Sequence, residues 1–273
     1  YGFKPPVITP DNYVFGAEQV PKELLQENGN WLQFLPLTET QILNTETYNC
    51  TAFGTTNCLE VLMLRKFGFK PNYSDRFLGI IAGTEPPGND PHIVIEALRH
   101  QGIINEELLP FSNDIDTWQK YYSPKPPPDN LIEEAKKFLD EYEIKQEWLW
   151  NSFASTETKH KILKETLKYS PIGISVRAWQ DDDGVYFKEE GEDDTHWTML
   201  YSWDETLKVW MVFDSYSPYL KPLRADYPFS FAKRYYIQKK SVIIKECSTK
   251  KGVKNVIKKL RELVGRVFVN LVQ

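Results

Sequence analysis

The chain of 273 residues is 41% hydrophobic and 26% charged, a globular composition rather than a disordered one, and it is long enough for one large domain or two modest ones. A net charge of -5 gives no reason to expect nucleic acid as a partner, and no run of about 18 apolar residues offers a transmembrane segment. An aromatic content of 14% with 18 prolines points to strands and shaped loops.

Residues 1–30 read as a proline-punctuated N-terminal extension with a short helical patch around 21–25. Over 50–67 the apolar positions Phe53, Leu59, Leu62, Met63 and Leu64 predict a buried helix, stopped by Gly68 and Pro71. Ser74 and Asp75 signal a helix start, 83–91 is a turn cluster, and a helix over 92–100 ends at Gly102. Residues 124–128, Pro-Lys-Pro-Pro-Pro, form a stiff spacer. Residues 129–142 and 157–169 look helical, the first capped by Asp129 or Asn130. After Pro171 the pattern turns to strands over 172–179, 195–203, 209–214 and 240–245, with a hairpin signal at Asp204 and Glu205. Residues 249–273 form a basic amphipathic helix, with Val253, Val256, Ile257, Leu260, Leu263 and Val264 on one face. That helix has two readings, packing on its own fold or docking to a partner or a larger assembly. Helices first and strands second predict an α+β fold of two lobes.

Three cysteines, Cys50, Cys58 and Cys247, make no disulfide framework. Cys50 and Cys58 are about two helical turns apart, roughly 12 Å, beyond disulfide reach. The absence of such a framework favours a reducing context, intracellular or phage and bacterial. No Cys/His cluster has metal-ligand spacing, and the acidic stretches 181–183 and 189–194 read as solvated loops rather than calcium sites.

At least one thiol is free to act as a nucleophile. Cys50 opens the first helix, His196 begins a strand 146 residues later, and Asp214 ends another strand. A thiol, an imidazole to take its proton and a carboxylate to orient the imidazole are the parts of a cysteine nucleophile. A thiolate at a helix N-terminus is stabilised by the helix dipole, so a depressed pKa is expected for Cys50.

Cys-Thr-Ala-Phe-Gly (50–54), Ser-Asp-Arg-Phe-Leu (74–78), Gly-Asn-Asp-Pro (88–91), Pro-Ile-Gly-Ile-Ser-Val (171–176), His-Trp-Thr-Met-Leu-Tyr (196–201) and Asp-Ser-Tyr-Ser (214–217) occur in one order. In that order they resemble the motifs of the papain-like cysteine peptidases. The resemblance runs from about residue 31 to 240, and His196 falls within that family's spacing of about 130–150 residues from the cysteine. It implies a two-lobed fold, a helical lobe plus an antiparallel, β-barrel-like lobe, with the active site in the cleft between. The peptidase domain would span 31–248, the helical lobe about 41–165 and the β-rich lobe about 166–248.

The resemblance further implies hydrolysis of a polypeptide substrate through an acyl-enzyme on Cys50, with His196 as acid and base, Asp214 as orienting residue and no metal or organic cofactor. Tyr216 would shield the His196 pair from water. The family's oxyanion-hole glutamine lies six residues before the cysteine, where this chain has Asn44; Gln41, nine before, is the alternative that reaches further, and is preferred. Gly88 and Asn89 replace a Gly-Gly turn whose backbone pairs with extended substrate, and Thr195 and Trp197 flank the histidine as substrate-binding positions, Trp197 narrowing the main side-chain pocket. An aspartate in place of the family's usual asparagine carries a full charge and should hold the imidazolium more strongly. No helical inhibitory propeptide is recognisable in 1–30. Two other readings stay open: an isopeptidase, amidase or acyl transferase using the same triad, and a catalytically silent structural or docking module.

Overall fold

Helix α1 (Cys50–Phe67) is buried at every residue from Cys50 to Met63, which is why its apolar residues show no single face. It stops where Gly68 takes a left-handed φ of 69° and returns its N–H to the Leu64 carbonyl. Helix α2 (Asp75–Ile81) starts at Ser74, whose side chain accepts the Phe77 N–H, and α3 (Pro91–Gln101) starts at Asp90, which accepts from His92. Helices α4 (Trp118–Tyr121), α5 (Asp129–Glu141) and α6 (Thr156–Thr166) follow. Asp129 is the first residue of α5 rather than its cap, because Pro128 occupies the cap position and no side chain bonds there. The structure is a computed structural model that describes residues 1–9, 20–150 and 154–240. Cys247, the helix expected over 249–273 and all but Lys240 of the strand expected over 240–245 lie outside the described residues.

Residues 21–25 are not helical; the N–H groups of Leu25 and Gln26 are used by the Lys168 carbonyl instead.

The strands are β1 (Tyr142–Trp148), β2 (Ile172–Val176), β3 (Asp181–Asp182), β4 (Val185–Tyr186), β5 (His196–Asp204), β6 (Val209–Phe213), β7 (Leu220–Arg224) and β8 (Ala232–Lys239). They form one sheet in the order β1-β8-β2-β5-β6-β7-β4-β3. All neighbours are antiparallel except β4 and β7, which pair in parallel. The β5–β6 hairpin turns over residues 205–208, where the Asp204 carboxylate accepts the N–H groups of Thr206 and Leu207.

Two sequence expectations are corrected here. The sheet is mixed, and it is open rather than barrel-like: closure needs the two edge strands to pair, and among the described residues β1 pairs with β8 alone while β3 pairs with β4 alone. The far edge tapers into two-residue strands, too short to carry the sheet round to β1. The α+β, two-lobed organisation itself stands, but β1 lies inside the span expected to be helical and belongs to the sheet.

Helix α1 packs against β5, β2 and β8 on one side and against α2 and α3 on the other. The N-terminus of α1 therefore meets the start of β5, bringing residues 146 apart in sequence to one place. Within Tyr1–Lys239 helices and sheet form one unit. Among the described residues no helix is long and apolar enough to cross a membrane.

Candidate active site

His196 is the first residue of β5, and Asp214 follows the last residue of β6. Antiparallel pairing of these strands sets the two side chains together: His196 Nε2 lies 2.6 Å from Asp214 Oδ1, with both side chains fully buried. The other imidazole nitrogen, Nδ1, has no hydrogen-bond partner. A buried ring nitrogen left open in this way is what a proton acceptor needs, and is otherwise a cost.

Cys50 is the first residue of α1, preceded by Asn49, whose side chain makes no cap hydrogen bond. The backbone N–H at this position has no partner within the helix, and the helix dipole is positive there. The Cys50 sulfur receives the backbone N–H of Trp197, the residue after His196, and makes no hydrogen bond to His196 Nδ1. Burial pushes the Cys50 thiol well above its ordinary value; the Trp197 N–H opposes this, and the charges of Asp214 and Glu46 add to it. In this covered arrangement burial, the largest influence on the thiol, acts against the depression expected from the helix dipole.

The cover is the chain's own residues 1–4. The Phe3 ring stacks on Trp197 with centroids 5.9 Å apart and planes 10° apart, in an apolar cluster with Cys50 and Trp148. Tyr1 sits edge-on to His196 at 6.0 Å and to Tyr216 at 5.6 Å. Asn89 donates its N–H to the Gly2 carbonyl and accepts the Lys4 N–H, both at 2.9 Å, a parallel bridge. The backbone of Asn89, the position that the resemblance assigns to substrate pairing, is thus occupied. The Asn89 side chain points inward to Ala82 and Thr84 and fixes the turn. Gly88 has a φ of 133°, and a Cβ there would meet the Gly2 oxygen at 1.9 Å.

Trp197 is fully buried, held against Gly54 of α1 and Gly173 of β2, where added Cβ atoms would lie 2.7 and 2.6 Å from its ring. It forms the floor under Phe3. Thr195 is bound into the loop before β5, its N–H on the Val176 carbonyl and its hydroxyl accepting from Ala178.

Gln41 is buried next to Asp214's neighbours: Oε1 accepts from Ser215 Oγ, and Nε2 donates to Tyr216 Oη and Glu46 Oε1. Both of its amide hydrogens are therefore engaged. Asn44 is exposed and donates to the Asn113 carbonyl, apart from this group. The Tyr216 ring lies 5.2 Å from the His196 ring and its hydroxyl donates to Glu46 at 2.5 Å, so it covers one side of the imidazole.

Sequence reasoning missed Glu46, Trp148 and Lys221. Lys221, on β7, is 1% exposed and places Nζ 2.7 Å from Asp214 Oδ2. Burial opposes ionisation of Asp214, and His196 and Lys221 together overcome it and hold the carboxyl below the usual carboxylate range. No sequence signal marked Lys221, because Leu-Lys-Pro-Leu-Arg (220–224) shows no apolar alternation; in the fold Lys221 lies on the same inward face as Leu223. Cys50 and Cys58 are both unbonded and buried. Burial raises the Cys58 thiol, and it is a core residue of α1. Among the described residues no group of His, Cys, Asp and Glu is arranged to hold a metal ion.

No family model and no curated protein sequence matches the chain. Solved structures do. Xylellain, a cysteine protease from Xylella fastidiosa, shares 14% identity over 89% of this chain and 96% of its own, with a TM-score of 0.61. The bromelain protease from Ananas comosus, solved with the E64 inhibitor, shares 12% identity over 76% of this chain and 96% of its own, at 0.54. Digestive procathepsin L 3 of Tenebrio molitor larval midgut shares 12% over 80% of this chain and 71% of its own, at 0.53. At such identities the likeness speaks for architecture alone: the chain has the fold of papain-like cysteine proteases.

Proposed function

We propose that the protein is a cysteine peptidase in which Cys50 attacks the peptide carbonyl, His196 moves the proton and Asp214 orients His196. The observation that carries this reading is the His196–Asp214 hydrogen bond through Nε2, which leaves a buried, unpartnered Nδ1 beside the residue whose N–H meets the Cys50 sulfur. With the cover displaced, Nδ1 takes the thiol proton and Sγ adds to the substrate carbonyl. The oxyanion is received by the Cys50 backbone N–H at the start of α1. Collapse breaks the C–N bond, the proton on Nδ1 goes to the leaving amine, and a thioester remains. His196 then deprotonates water, which adds to the thioester; its collapse releases the carboxylate product and returns the proton to sulfur. Gln41 can serve as the second oxyanion donor only by giving up Tyr216 or Glu46.

A polypeptide is the proposed substrate, and the isopeptidase, amidase and acyl-transferase readings differ from it only in the acyl bond or the acceptor. The test is hydrolysis of a fluorogenic peptide library, with identification of the Cys50 adduct by mass spectrometry. Loss of turnover by a factor of about 10³ or more in Cys50→Ala and His196→Ala supports the reading. Turnover that persists in either variant refutes it. The covering of Cys50 by residues 1–4 favours one second reading, a silent module whose site is never opened. Cys50 that stays unreactive after the cover is displaced would establish that reading.

A further inference from the structure

We propose that Lys221 is the built-in counter-charge of Asp214, so that the buried partner of His196 acts on the imidazole as a neutral group. The inference rests on the peptidase reading for its mechanistic meaning, but its geometry stands apart from it. A buried carboxylate facing His196 alone would be a full negative charge in an apolar setting, costly by itself and strongly attractive to an imidazolium. Here both carboxylate oxygens are used: Oδ1 by His196 at 2.6 Å and Oδ2 by Lys221 at 2.7 Å. The Lys221 ammonium has three hydrogens and three acceptors, Asp214 Oδ2 and the carbonyl oxygens of Tyr216 and Pro218. It also lies 4.8 Å from the Trp179 ring centroid. On β7 it takes an inward position where packing alone would call for an apolar residue.

A structural role is the simpler alternative, since the same ion pair ties the loop 214–221 to β7. That role would leave the titration of His196 unmoved in Lys221→Met. The counter-charge role would not. At an effective dielectric of about 20, a unit charge roughly 6 Å from the imidazole is worth about two pH units. The other groups facing this cluster are Cys50 on α1, Glu46 through Tyr216, Tyr186 on β4 with Asp181 beyond it, and Tyr1. None of them makes an ion pair with Asp214.

The experiment is an NMR titration of the His196 ring in the full chain labelled with ¹³C-histidine, assigned by loss of one signal in His196→Gln. Lys221→Met should raise the His196 midpoint by about one to two pH units, and Asp214→Asn should lower it. Asp214→Asn with Lys221→Met, a neutral pair of similar shape, should return it to within about half a unit of the native chain, and Lys221→Arg should leave it in place. If Lys221→Met does not fold, as judged by circular dichroism, the comparison of Asp214→Asn with the double variant decides alone. A midpoint unmoved by Lys221→Met overturns the assignment, as does a double variant displaced as far as Asp214→Asn. The ring titration reads His196 whether or not Cys50 is a nucleophile. Absence of a His196-dependent limb in the pH profile of Cys50 alkylation would sink the peptidase reading and leave the Lys221 result intact.

Discussion

Replacing Gly2 with alanine should uncover Cys50 without altering any residue of the site. A Cβ at Gly2 would lie 2.0 Å from the Tyr48 carbonyl oxygen, a backbone atom that cannot swing aside. The closed arrangement of residues 1–4 is then sterically excluded. Its present strength can be worked from the contacts. Phe3 is 7% exposed, and burying such a ring contributes about 3 kcal/mol, its stacking on Trp197 about 1, and the two backbone bonds to Asn89 about 1 each. Ordering residues 1–4 costs about 4 kcal/mol, at about 1 each. The net, about 2 kcal/mol, corresponds to roughly 30 closed molecules for each open one. Alkylation of Cys50 by iodoacetamide, followed by peptide mapping to separate it from Cys58 and Cys247, should therefore quicken about 30-fold in Gly2→Ala. Phe3→Ala should reach the same plateau, and the double variant should go no faster, because an open site cannot open further. An unchanged rate in Gly2→Ala would show that residues 1–4 do not gate the thiol.

The ion pair at the site predicts a stability pattern as well. Asp214→Asn leaves the Lys221 ammonium buried without its carboxylate and should destabilise the fold by about 3–5 kcal/mol in urea denaturation. Adding Lys221→Met should recover part of that loss, whereas strictly additive losses would show that the two groups are not coupled. Burial raises the Glu106 carboxyl to about 7. A folded-state value above the unfolded value of about 4.3 makes this group's stabilisation complete at low pH and lost as pH rises through 7. Glu106→Gln keeps an acceptor for the Phe111 N–H, so the fall in melting temperature from pH 5 to pH 8 should be smaller than in the native chain, by the equivalent of about 2 kcal/mol. Equal falls would mean that Glu106 ionises freely.

How far the fold could be read depended on where its polar residues went. Helix α1 and the β5–β6 hairpin were legible because their signals are local: a run of apolar residues ended by Gly68, and two apolar strands joined at Asp204. Strand β1 was not. Its Glu143, Lys145, Gln146 and Glu147 offer no apolar alternation, yet Gln146 and Glu147 are buried, bonded to Lys233 and Arg234 of β8. Glu147 and Arg234 are direct cross-strand partners, so the polar pattern that hid the strand is what holds it to the sheet. The openness of the sheet was equally hidden, since closure is a matter of which edges pair. The cover over the site had no local signal either. Residues 1–4 gain their structure only from Asn89, Trp197 and His196, far along the chain.

The site shows the same limit in its electrostatics. Cys50, His196 and Asp214 could be named one at a time because each sits in a recognisable local run, and His196 and Asp214 do meet. The expectation that Asp214 holds the imidazolium more strongly took no account of Lys221, because charge in a buried site belongs to the group of side chains that share it. Lys221 lies seven residues beyond Asp214, in a stretch whose sequence shows no strand alternation. Only the fold of the 214–221 loop turns its ammonium back onto the carboxylate. An asparagine would present the imidazole with one neutral amide. This chain reaches a comparable balance with two opposite charges, at the cost of burying both, and that balance depends on β7 remaining in register with β6. A shift of one residue along that pairing would turn Lys221 to the opposite face and leave Asp214 alone with His196.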